Sequence, residues 1–524
     1  MNNLYVFAIG GSGERVMRSL IMLLASGVTV NAKKVIPVFI DNDVTSDAYT
    51  KCCELLKYYS DTAENGGKVG AHTLYSYLHG QNVPSSFFKT EIGEPVTLNK
   101  AGNNIGNLSG IIGGINDDNP LYANLTEERD LLFTEDDLTM PLKIGFVGNP
   151  NIGSVVLNSL SLADKAFGGI MHDLSSGDGV FVVGSLFGGT GAAGFPLVVN
   201  TINKINEANR PLLGGVAVLP YFSVNSAENK TPKGTIDTKR WDVNSDSFDT
   251  KTRAALMYYD EYMRDMDFLY YVGDRDGKDV YDHVAGGSGQ KNPADLVEVM
   301  AALSVVDFSK QEKGDNVKYK IPIWGLNKPS SGSSTSNVSG IKNSDLKKAL
   351  VKFVMMKQIF KNENFLKEAI NQQWDYAKRI GFTQEMRMSV IDQYRQGDFT
   401  WSWGLNNFIA KWTEWMNELG RGTNRQFLIF DEENGSINAS NITSLFFSES
   451  GNGLAKVVEK KPLFGSRRME ALDAKVNEYL HEASIKLYKG KDATKIADEE
   501  KLPMMLNVIS VALDNVIAER CVAM

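Results

Sequence analysis

The stretch Phe187-Gly188-Gly189-Thr190-Gly191-Ala192-Ala193-Gly194 decides the fold, because it places four glycines in eight residues shortly after a buried strand. The predicted strand is the apolar run Val180 to Gly184, and residues 196–205 after the turn have a helical pattern. Glycines leave backbone amides accessible, and amides at a helix N-terminus bind phosphate. No Gly-Lys-Ser/Thr of a Walker loop follows. We therefore predict a different phosphate-binding turn at Gly188, Gly189, Thr190 and Gly191.

A second turn of this kind, Gly10-Gly11-Ser12-Gly13, follows the apolar run Leu4 to Ile9 and opens a helical pattern. Its spacing is similar to a dinucleotide fingerprint, although Val16 stands where the third glycine is expected. Asp41 ends the next apolar run, where dinucleotide-binding folds keep a ribose-binding acid. A tight turn without any ligand is the alternative interpretation of the Gly10–Gly13 turn.

Strand-like and helical runs alternate through the N-terminal part of the chain. Beside the runs already named, Ile144–Val147, Leu213–Leu219 and Phe268–Val272 are expected strands. This alternation predicts an α/β fold with a Rossmann-like, mainly parallel sheet that is covered on both faces. Residues 107–142 are rich in Asn, Asp and Gly, and we expect them to form an insertion.

The composition changes near residue 310, where we place a domain boundary. Residues 1–310 are the expected nucleotide-binding domain, and residues 311–524 are expected to form a smaller α+β domain with C-terminal helices. Residues 329–340 are rich in Ser and Gly and predict a loop. Expected helices lie near 346–370, 408–419, 469–488 and 504–520, with expected strands at 427–430 and 445–447. The aromatic stripe Trp401, Trp403, Phe408, Trp412 and Trp415 is interpreted as core rather than as a partner surface.

The composition of the 524-residue chain excludes several classes of protein. Hydrophobic residues make up 43% and charged residues 23%, which is typical of a folded protein. The formal net charge of −8 argues against nucleic acid as a partner. No apolar run reaches the roughly 20 residues that span a bilayer. The N-terminus lacks a basic leader, so we expect no signal peptide. Of the three cysteines, Cys52 and Cys53 are adjacent and Cys521 is at the far end, which gives no disulfide or metal pattern, so we expect a cytoplasmic protein.

Several segments, taken together and in this order, resemble the tubulin/FtsZ superfamily, and within it bacterial tubulin-like proteins. The signature loop and following helix of that family are similar to Gly188–Val199. The strand after it is similar to Gly215–Phe222, and the family's first glycines match Gly10 and Gly13. The resemblance covers residues 1–310 and also includes Lys100-Ala101-Gly102-Asn103-Asn104 and Asn292-Pro293-Ala294-Asp295-Leu296.

The resemblance implies a ligand and a set of contacts. The ligand is GTP or GDP, with water-bound Mg²⁺ held by Asp41 and Asp43. Asp274 is expected to contact ribose or base, and Asp295 to accept hydrogen bonds from guanine, although a helix N-cap is the alternative role for Asp295. The expected phosphate contacts are Gly10, Gly11, Ser12 and Gly13 for the α- and β-phosphates, Gly102, Asn103 and Asn104 near the γ-phosphate, and Gly188, Gly189, Thr190 and Gly191 for the β- and γ-phosphates.

The resemblance also implies how GTP is hydrolysed. Water is activated in this family by acids of the next subunit, and Asp307 stands at the position of the first acid. Lys310 stands at the second, and Glu312 is a spare candidate. Asp307 is alternatively a solvated carboxylate at a helix end. The expected function is hydrolysis of GTP to GDP coupled to head-to-tail self-assembly into filaments. The alternatives are a regulatory or scaffold GTP-binding protein that does not polymerise, and a dinucleotide-dependent oxidoreductase.

Overall fold

The structure is a computed structural model, and it describes a large part of the N-terminal half and shorter segments beyond it. The described residues are 1–43, 45–63, 87–98, 106–113, 118, 125–161, 165–205, 207–225, 245–263, 265–274, 279–282, 287–314, 318–320, 343–361, 400–421, 456–458, 469–471, 479–480, 482–483, 486 and 508–515. The predicted phosphate contacts Gly102, Asn103 and Asn104 lie outside this set, as do the expected loop at 329–340 and the expected strands at 427–430 and 445–447.

The described strands form one large sheet and two small ones. In chain order they are β1 Asn3–Ile9, β2 Lys34–Ile40, β3 Glu91–Ile92, β4 Val96–Leu98, β5 Gly179–Ser185, β6 Leu212–Val218, β7 Phe222–Asn225, β8 Phe268–Val272, β9 Asp279–Asp282, β10 Lys318–Lys320, β11 Lys456–Val458 and β12 Met469–Ala471. The large sheet has the order β10-β8-β6-β5-β1-β2-β3, with β4 also paired to β2, and its described pairings are parallel. Strands β7 and β9 form a parallel pair, and β11 and β12 an antiparallel one.

Helices connect and cover these strands. The described α-helices are α1 Gly10–Ala25, α2 Asp47–Ala63, α3 Ser109–Ile112, α4 Thr126–Leu132, α5 Glu135–Thr139, α6 Pro150–Ser161, α7 Lys165–Asp173, α8 Gly189–Ile202, α9 Phe248–Tyr262, α10 Leu296–Phe308, α11 Asn343–Lys361 and α12 Thr400–Arg421. Helices α3, α4 and α5 lie within the expected insertion at 107–142. In the described part of the chain, no helix is long and apolar enough to cross a membrane.

The central sheet has a separate hydrophobic core on each face. Successive residues of β1 alternate between them, because side chains along a strand point to opposite faces. Leu4, Val6 and Ala8 belong to one core, and Tyr5, Phe7 and Ile9 belong to the other. A strand buried on both faces must be apolar throughout, which explains the continuous apolar run at the N-terminus. The predicted α/β fold with a mostly parallel, covered sheet is confirmed.

The order of the strands reverses direction between β1 and β5. From β1 the chain moves to β2 on one side, whereas from β5 it moves to β6 and β8 on the other. The connections from β1 and β5 therefore leave the sheet in opposite directions and open a crevice at their carboxyl ends. Open α/β sheets bind ligands at such a switch point. Both glycine-rich turns follow these two strands, at Gly10 and Gly188.

Three local predictions differ from the structure. Ile144–Val147 is not a strand, because a short 3₁₀ turn at Leu142–Ile144 leads into a loop with positive φ angles. The expected helix at 469–488 starts instead as strand β12. The expected helix at 196–205 begins earlier, at Gly189, so the glycine-rich stretch itself forms the first turns of α8.

Helices from the C-terminal part of the chain pack on the first core. The rings of Phe353 of α11 and Trp412 of α12 contact each other in a tilted arrangement, with centroids 4.7 Å apart. Phe408, Trp412 and Trp415 are buried in the same core as α1, so this part of the aromatic stripe is core, as expected. The domain boundary near residue 310 stays a prediction.

Candidate functional site

The two glycine-rich turns touch each other. Gly10 has a φ of +68°, a conformation that L side chains rarely adopt. A Cβ atom added at Gly10 would lie 3.1 Å from the Cβ of Thr190 and 3.3 Å from the amide nitrogen of Gly191. Glycine at position 10 therefore allows the start of α1 and the start of α8 to form one continuous wall.

The N-termini of α1 and α8 meet at this wall. Ile9 precedes α1 and Gly188 precedes α8, and neither provides a side-chain cap for the first amides of its helix. The first turn of each helix contains no acidic residue. The first amides of a helix lack intrahelical partners and carry partial positive charge, so the two ends together favour an anion. A phosphate chain matches this pair of helix ends.

A cavity of about 270 Å³ opens at this wall, at the carboxyl ends of the strands. It brings together pieces of sequence that are as far apart as residues 10 and 292. Gly13 lies behind the wall, where an added Cβ would come within 2.8 Å of the carbonyl carbon of Ala8. Of the predicted site residues, those that line the cavity are Gly10, Gly11, Ser12, Asp41, Asp43, Gly188, Gly189, Thr190 and Gly191.

A third loop, which the sequence analysis did not identify as part of the site, forms another side of the cavity. Gly145, Phe146, Val147 and Gly148 line it. The φ angles of Gly145, Val147 and Gly148 are +77°, +43° and +70°, and Val147 is a β-branched residue for which this conformation is strained. Asn149 Oδ1 then accepts a hydrogen bond of 3.1 Å from the amide of Asn151 at the start of α6.

The signal for this loop was present in the sequence. Two glycines are followed by Asn149 and Pro150 directly before a helix. Asn is a preferred N-cap, and Pro favours the first helical position, so this pattern indicates a turn that leads into a helix. The apolar pair Phe146-Val147 between the glycines instead suggested a short strand. An added Cβ at Gly189 would lie 2.8 Å from the Cβ of Phe146, which shows how closely this loop contacts α8.

Three acidic side chains lie together beside the glycine wall. Burial raises the pKa of Asp41 to about 7, and the neighbouring charge of Asp43 also raises it. Burial, followed by the charge of Asp41, raises the pKa of Glu14 well above its usual range. Ser46 Oγ donates to Glu14 Oε2 over 2.9 Å, while no donor among the described residues reaches Glu14 Oε1. Burial, together with the charge of Asp43, therefore favours protonation of Asp41 near neutral pH.

The predicted Mg²⁺ ligands Asp41 and Asp43 both line the cavity. Asp43 Oδ1 accepts from the Thr45 hydroxyl over 2.7 Å, and Oδ2 accepts from the Gly287 amide over 2.7 Å. Within the described ranges, no group of three His, Cys, Asp or Glu side chains is arranged to hold a metal ion. Mg²⁺ in nucleotide sites commonly needs only one or two carboxylates, because phosphates and waters supply the other ligands. The donor set therefore fits Mg²⁺ that arrives with phosphate.

The side of the cavity formed by α1 carries two arginines. Arg15 donates from Nε to Glu298 of α10 over 2.5 Å and from Nη2 to the carbonyl oxygen of Pro293 over 2.9 Å. Its guanidinium also lies 5.7 Å from the ring centroid of Phe222, which lines the cavity. Arg18 is the second arginine. The remaining lining residues are Ser46, Asp47, Ala48, Lys51, Ser185, Phe187, Val224, Phe248, Gly287, Gln290 and Asn292.

Two predicted nucleoside contacts lie outside the cavity lining. Asp295 is the N-cap of α10, where its Oδ1 accepts from the Val297 amide over 2.8 Å and completes a capping box with Glu298. Asp274 is half-buried after β8. The lining residue nearest in sequence to Asp295 is Asn292. The contacts of Asp274 and Asp295 with a nucleotide stay predictions.

Asp307 lies at the other end of α10 from the cavity. That helix rises about 18 Å from Leu296 to Phe308, at about 1.5 Å per residue. Asp307 is 5% exposed, and its Oδ2 accepts from the Tyr270 hydroxyl over 2.7 Å. The Asn31 amide, just before β2, donates to Ser309 Oγ over 3.0 Å, which places this end at the amino edge of the strands. Lys310 and Glu312 are exposed there.

Comparison with the known protein families gives no match for this chain, and no curated protein matches it. The resemblance to the tubulin/FtsZ superfamily therefore stays a prediction from the motifs.

Proposed function

We propose that this protein binds a guanine nucleotide in the cavity at the carboxyl ends of β1 and β5. The observation that carries the proposal is the contact between the two uncapped helix starts, at Gly10 and Thr190. A single glycine-rich turn is common without a ligand, but two that converge at the switch point of a parallel sheet are difficult to explain by packing alone. The resemblance of both turns to the tubulin/FtsZ superfamily supports guanine as the base.

The proposal includes hydrolysis of GTP to GDP that is coupled to head-to-tail assembly, because the next subunit would supply the catalytic acid. The cavity lies at the carboxyl edge of the sheet, and the exposed residues Lys310 and Glu312, just after α10, lie at the amino edge. A head-to-tail contact would bring the amino edge of one subunit over the cavity of the next, and such heterologous contacts form open filaments when the rotation does not close. Asp307 is the proposed catalytic acid. Glu312, which is exposed at the same end, is the second candidate.

A second candidate function is nucleotide binding without assembly or hydrolysis. The specific observation that favours it is the burial of Asp307, whose carboxylate already accepts a hydrogen bond from Tyr270. Lys310 adds a positive charge at the position where the resemblance expects an acid. Under this alternative, the protein regulates or scaffolds other molecules according to the bound nucleotide.

The test is a substitution that places a larger side chain in the cavity from one of its lining residues. A Cβ at Gly11 would meet nothing within 4 Å, and Gly11 lines the cavity, so a side chain added there extends from open space at the proposed ligand site. Gly11→Leu is expected to lower GTP and GDP affinity by at least about tenfold, because buried ligand contacts of a few kcal/mol are lost. Gly168→Leu is the matched control, since Gly168 on α7 also has nothing within 4 Å and lies outside the lining.

Binding is measured by calorimetry, together with identification of the nucleotide that copurifies with the wild-type chain. Guanine nucleotide that binds the wild type and the Gly168→Leu variant, and not Gly11→Leu, supports the proposal. A copurified nicotinamide or flavin dinucleotide would instead assign the site to an oxidoreductase. The absence of binding by the wild-type protein would refute the nucleotide site.

A further inference from the structure

Each arginine of the cavity is held by a carboxylate of a different helix. The partner of Arg15 is Glu298 of α10, within the expected nucleotide-binding part of the chain. The partner of Arg18 is Glu418 of α12, which is 400 residues away in sequence. Glu418 therefore connects a helix far outside residues 1–310 to Arg18, a residue that lines the cavity.

One oxygen of Glu418 holds two parts of the site. Oε2 accepts from Arg18 Nη1 over 2.7 Å and from the Ala294 amide over 2.7 Å. Ala294 lies two residues after Asn292, which lines the cavity. The side chains of Arg18 and Glu418 are 5% and 15% exposed, so this ion pair is shielded from water. A shielded charge pair with a shared acceptor fixes geometry more strongly than an exposed one.

Helix α12 is fixed against α1 by two further contacts. Trp412 Nε1 donates to Ser26 Oγ over 2.9 Å, and Trp415 Nε1 donates to Ser19 Oγ over 3.3 Å. Both tryptophans are buried. Glu418 follows Trp415 by three residues, so it lies on the same face of α12. The tryptophans thus set the register that places Glu418 at Arg18.

Arg18 lies away from the predicted phosphate wall. It follows Gly10 by eight residues, which corresponds to about 12 Å along the axis of α1. Because of this separation, we place the part of the cavity lined by Arg18 and Asn292 at a second end, away from the glycine turns. A nucleotide with its phosphates at the glycine turns would have its nucleoside at this second end.

We infer that Glu418 is a positioning residue for nucleoside recognition: it holds Arg18 and the Asn292 turn where they contact the base and ribose. This inference rests on the proposed nucleotide function. It assigns to the C-terminal part of the chain a share in the affinity of the site, which acts through Arg18 and the Asn292 turn. It also makes recognition of the nucleoside separable from recognition of the phosphates, because the proposed phosphate contacts come from α1 and α8 and do not involve Glu418.

The experiment measures three ligands, GDP, guanosine and inorganic pyrophosphate, with the full chain. Glu418→Ala is expected to raise the Kd for GDP and for guanosine by about tenfold each, the size expected for loss of a charged hydrogen bond. The Kd for pyrophosphate should change less than about twofold, because the glycine turns are untouched. Glu418→Gln keeps an oxygen acceptor for the Ala294 amide and should recover part of the loss.

The matched control is Glu414→Ala, one turn earlier on an exposed position of α12. It should leave all three Kd values unchanged. A Glu418→Ala variant that binds GDP like the wild type overturns the inference, as does an equal loss for pyrophosphate, which indicates general damage to the fold. A wild-type protein that binds neither GDP nor guanosine overturns the proposed function and this inference with it.

Discussion

At the scale of single residues, the glycines at the start of α1 differ in the space that each leaves for a side chain. An added Cβ at Gly13 would meet the backbone of Ala8 at 2.8 Å and the carbonyl oxygen of Val183 at 3.0 Å, whereas one at Gly11 would meet nothing within 4 Å. Because backbone atoms cannot move aside, we expect Gly13→Ala to lower the free energy of unfolding by about 1–3 kcal/mol.

Gly11→Ala is the matched control for that prediction and should change stability by less than about 0.5 kcal/mol, as surface substitutions usually do. Urea unfolding followed by circular dichroism measures both variants. Equal stability of the two variants would contradict the close approach between α1 and β1.

The buried acid Asp41 gives the stability of the protein a defined dependence on pH. Its pKa is about 7 in the folded chain, against an ordinary value of 3.8. Between about pH 4 and pH 7 the folded state holds a proton that the unfolded state has lost, so stability falls as pH rises through this window. Asp41→Asn cannot ionise, and we expect it to reduce this fall.

Urea unfolding at several pH values between 5 and 8 tests this expectation. The pKa of Glu14 is also raised, so stability of the Asp41→Asn variant should still fall with rising pH, although less steeply than in the wild type. Glu127→Gln, on an exposed position of α4, is the control and should keep the wild-type slope. An unchanged slope in Asp41→Asn would show that Asp41 ionises normally.

At the scale of elements, the loop Gly145 to Gly148 stores backbone strain beside the cavity. Val147 has a positive φ, which costs roughly 1–3 kcal/mol in a residue with a Cβ. Glycine removes that cost but adds roughly 0.5–1 kcal/mol of unfolded-state entropy. Val147 also packs against the second core, so glycine loses that contact too. We therefore expect Val147→Gly to be less destabilising, by about 1–3 kcal/mol, than the same change at a valine with ordinary backbone angles.

Val30→Gly provides the comparison, because Val30 is a partly buried valine without a positive φ. It should destabilise the protein, and thermal unfolding of both variants gives the difference. If Val147→Gly proves as destabilising as Val30→Gly, the loop is unstrained.

The sequence predicts the strands and the two glycine turns, but it does not predict the loop at Gly145 or the contact between Arg18 and Glu418. The apolar runs of β1, β2 and β5 predicted a parallel sheet, because strands covered on both faces must be apolar along their whole length. The turns at Gly10 and Gly188 were predictable because glycines stood between a strand and a helix. The loop at Gly145 was missed because its Phe-Val pair has strand propensity, and φ angles depend on the packing of α8 against it. The contact between Arg18 and Glu418 has no local signal, since only the tertiary fold joins residues 400 positions apart.

At the scale of the whole molecule, in-trans hydrolysis predicts complementation between two inactive variants. Under the proposed function, Gly11→Leu should not bind nucleotide but keeps the amino-edge acids, whereas Asp307→Asn should bind nucleotide but lacks the proposed acid. Each alone should release almost no phosphate from GTP. An equal mixture should recover at most about a quarter of wild-type activity, because random head-to-tail pairing makes a complete site at one contact in four.

Phosphate release and light scattering are measured together at several protein concentrations. Glu312→Gln mixed with Gly11→Leu distinguishes the exposed acid from Asp307. A mixture of Gly168→Leu with wild type should keep full activity. No recovery in either mixture, with no scattering after GTP addition, would favour the second candidate function, in which the protein binds nucleotide without assembly.

The bond between Arg18 and Glu418 also has a consequence for biosynthesis. The first glycine turn leaves the ribosome early, but under the proposed function the nucleoside end of the site is complete only after residue 418 has emerged. At synthesis rates of about 5–20 residues per second, this delay is roughly 20–80 s. A nascent chain would therefore hold nucleotide weakly for most of its translation, and ribosome-bound chains arrested before and after residue 418 should differ in their retention of labelled GDP.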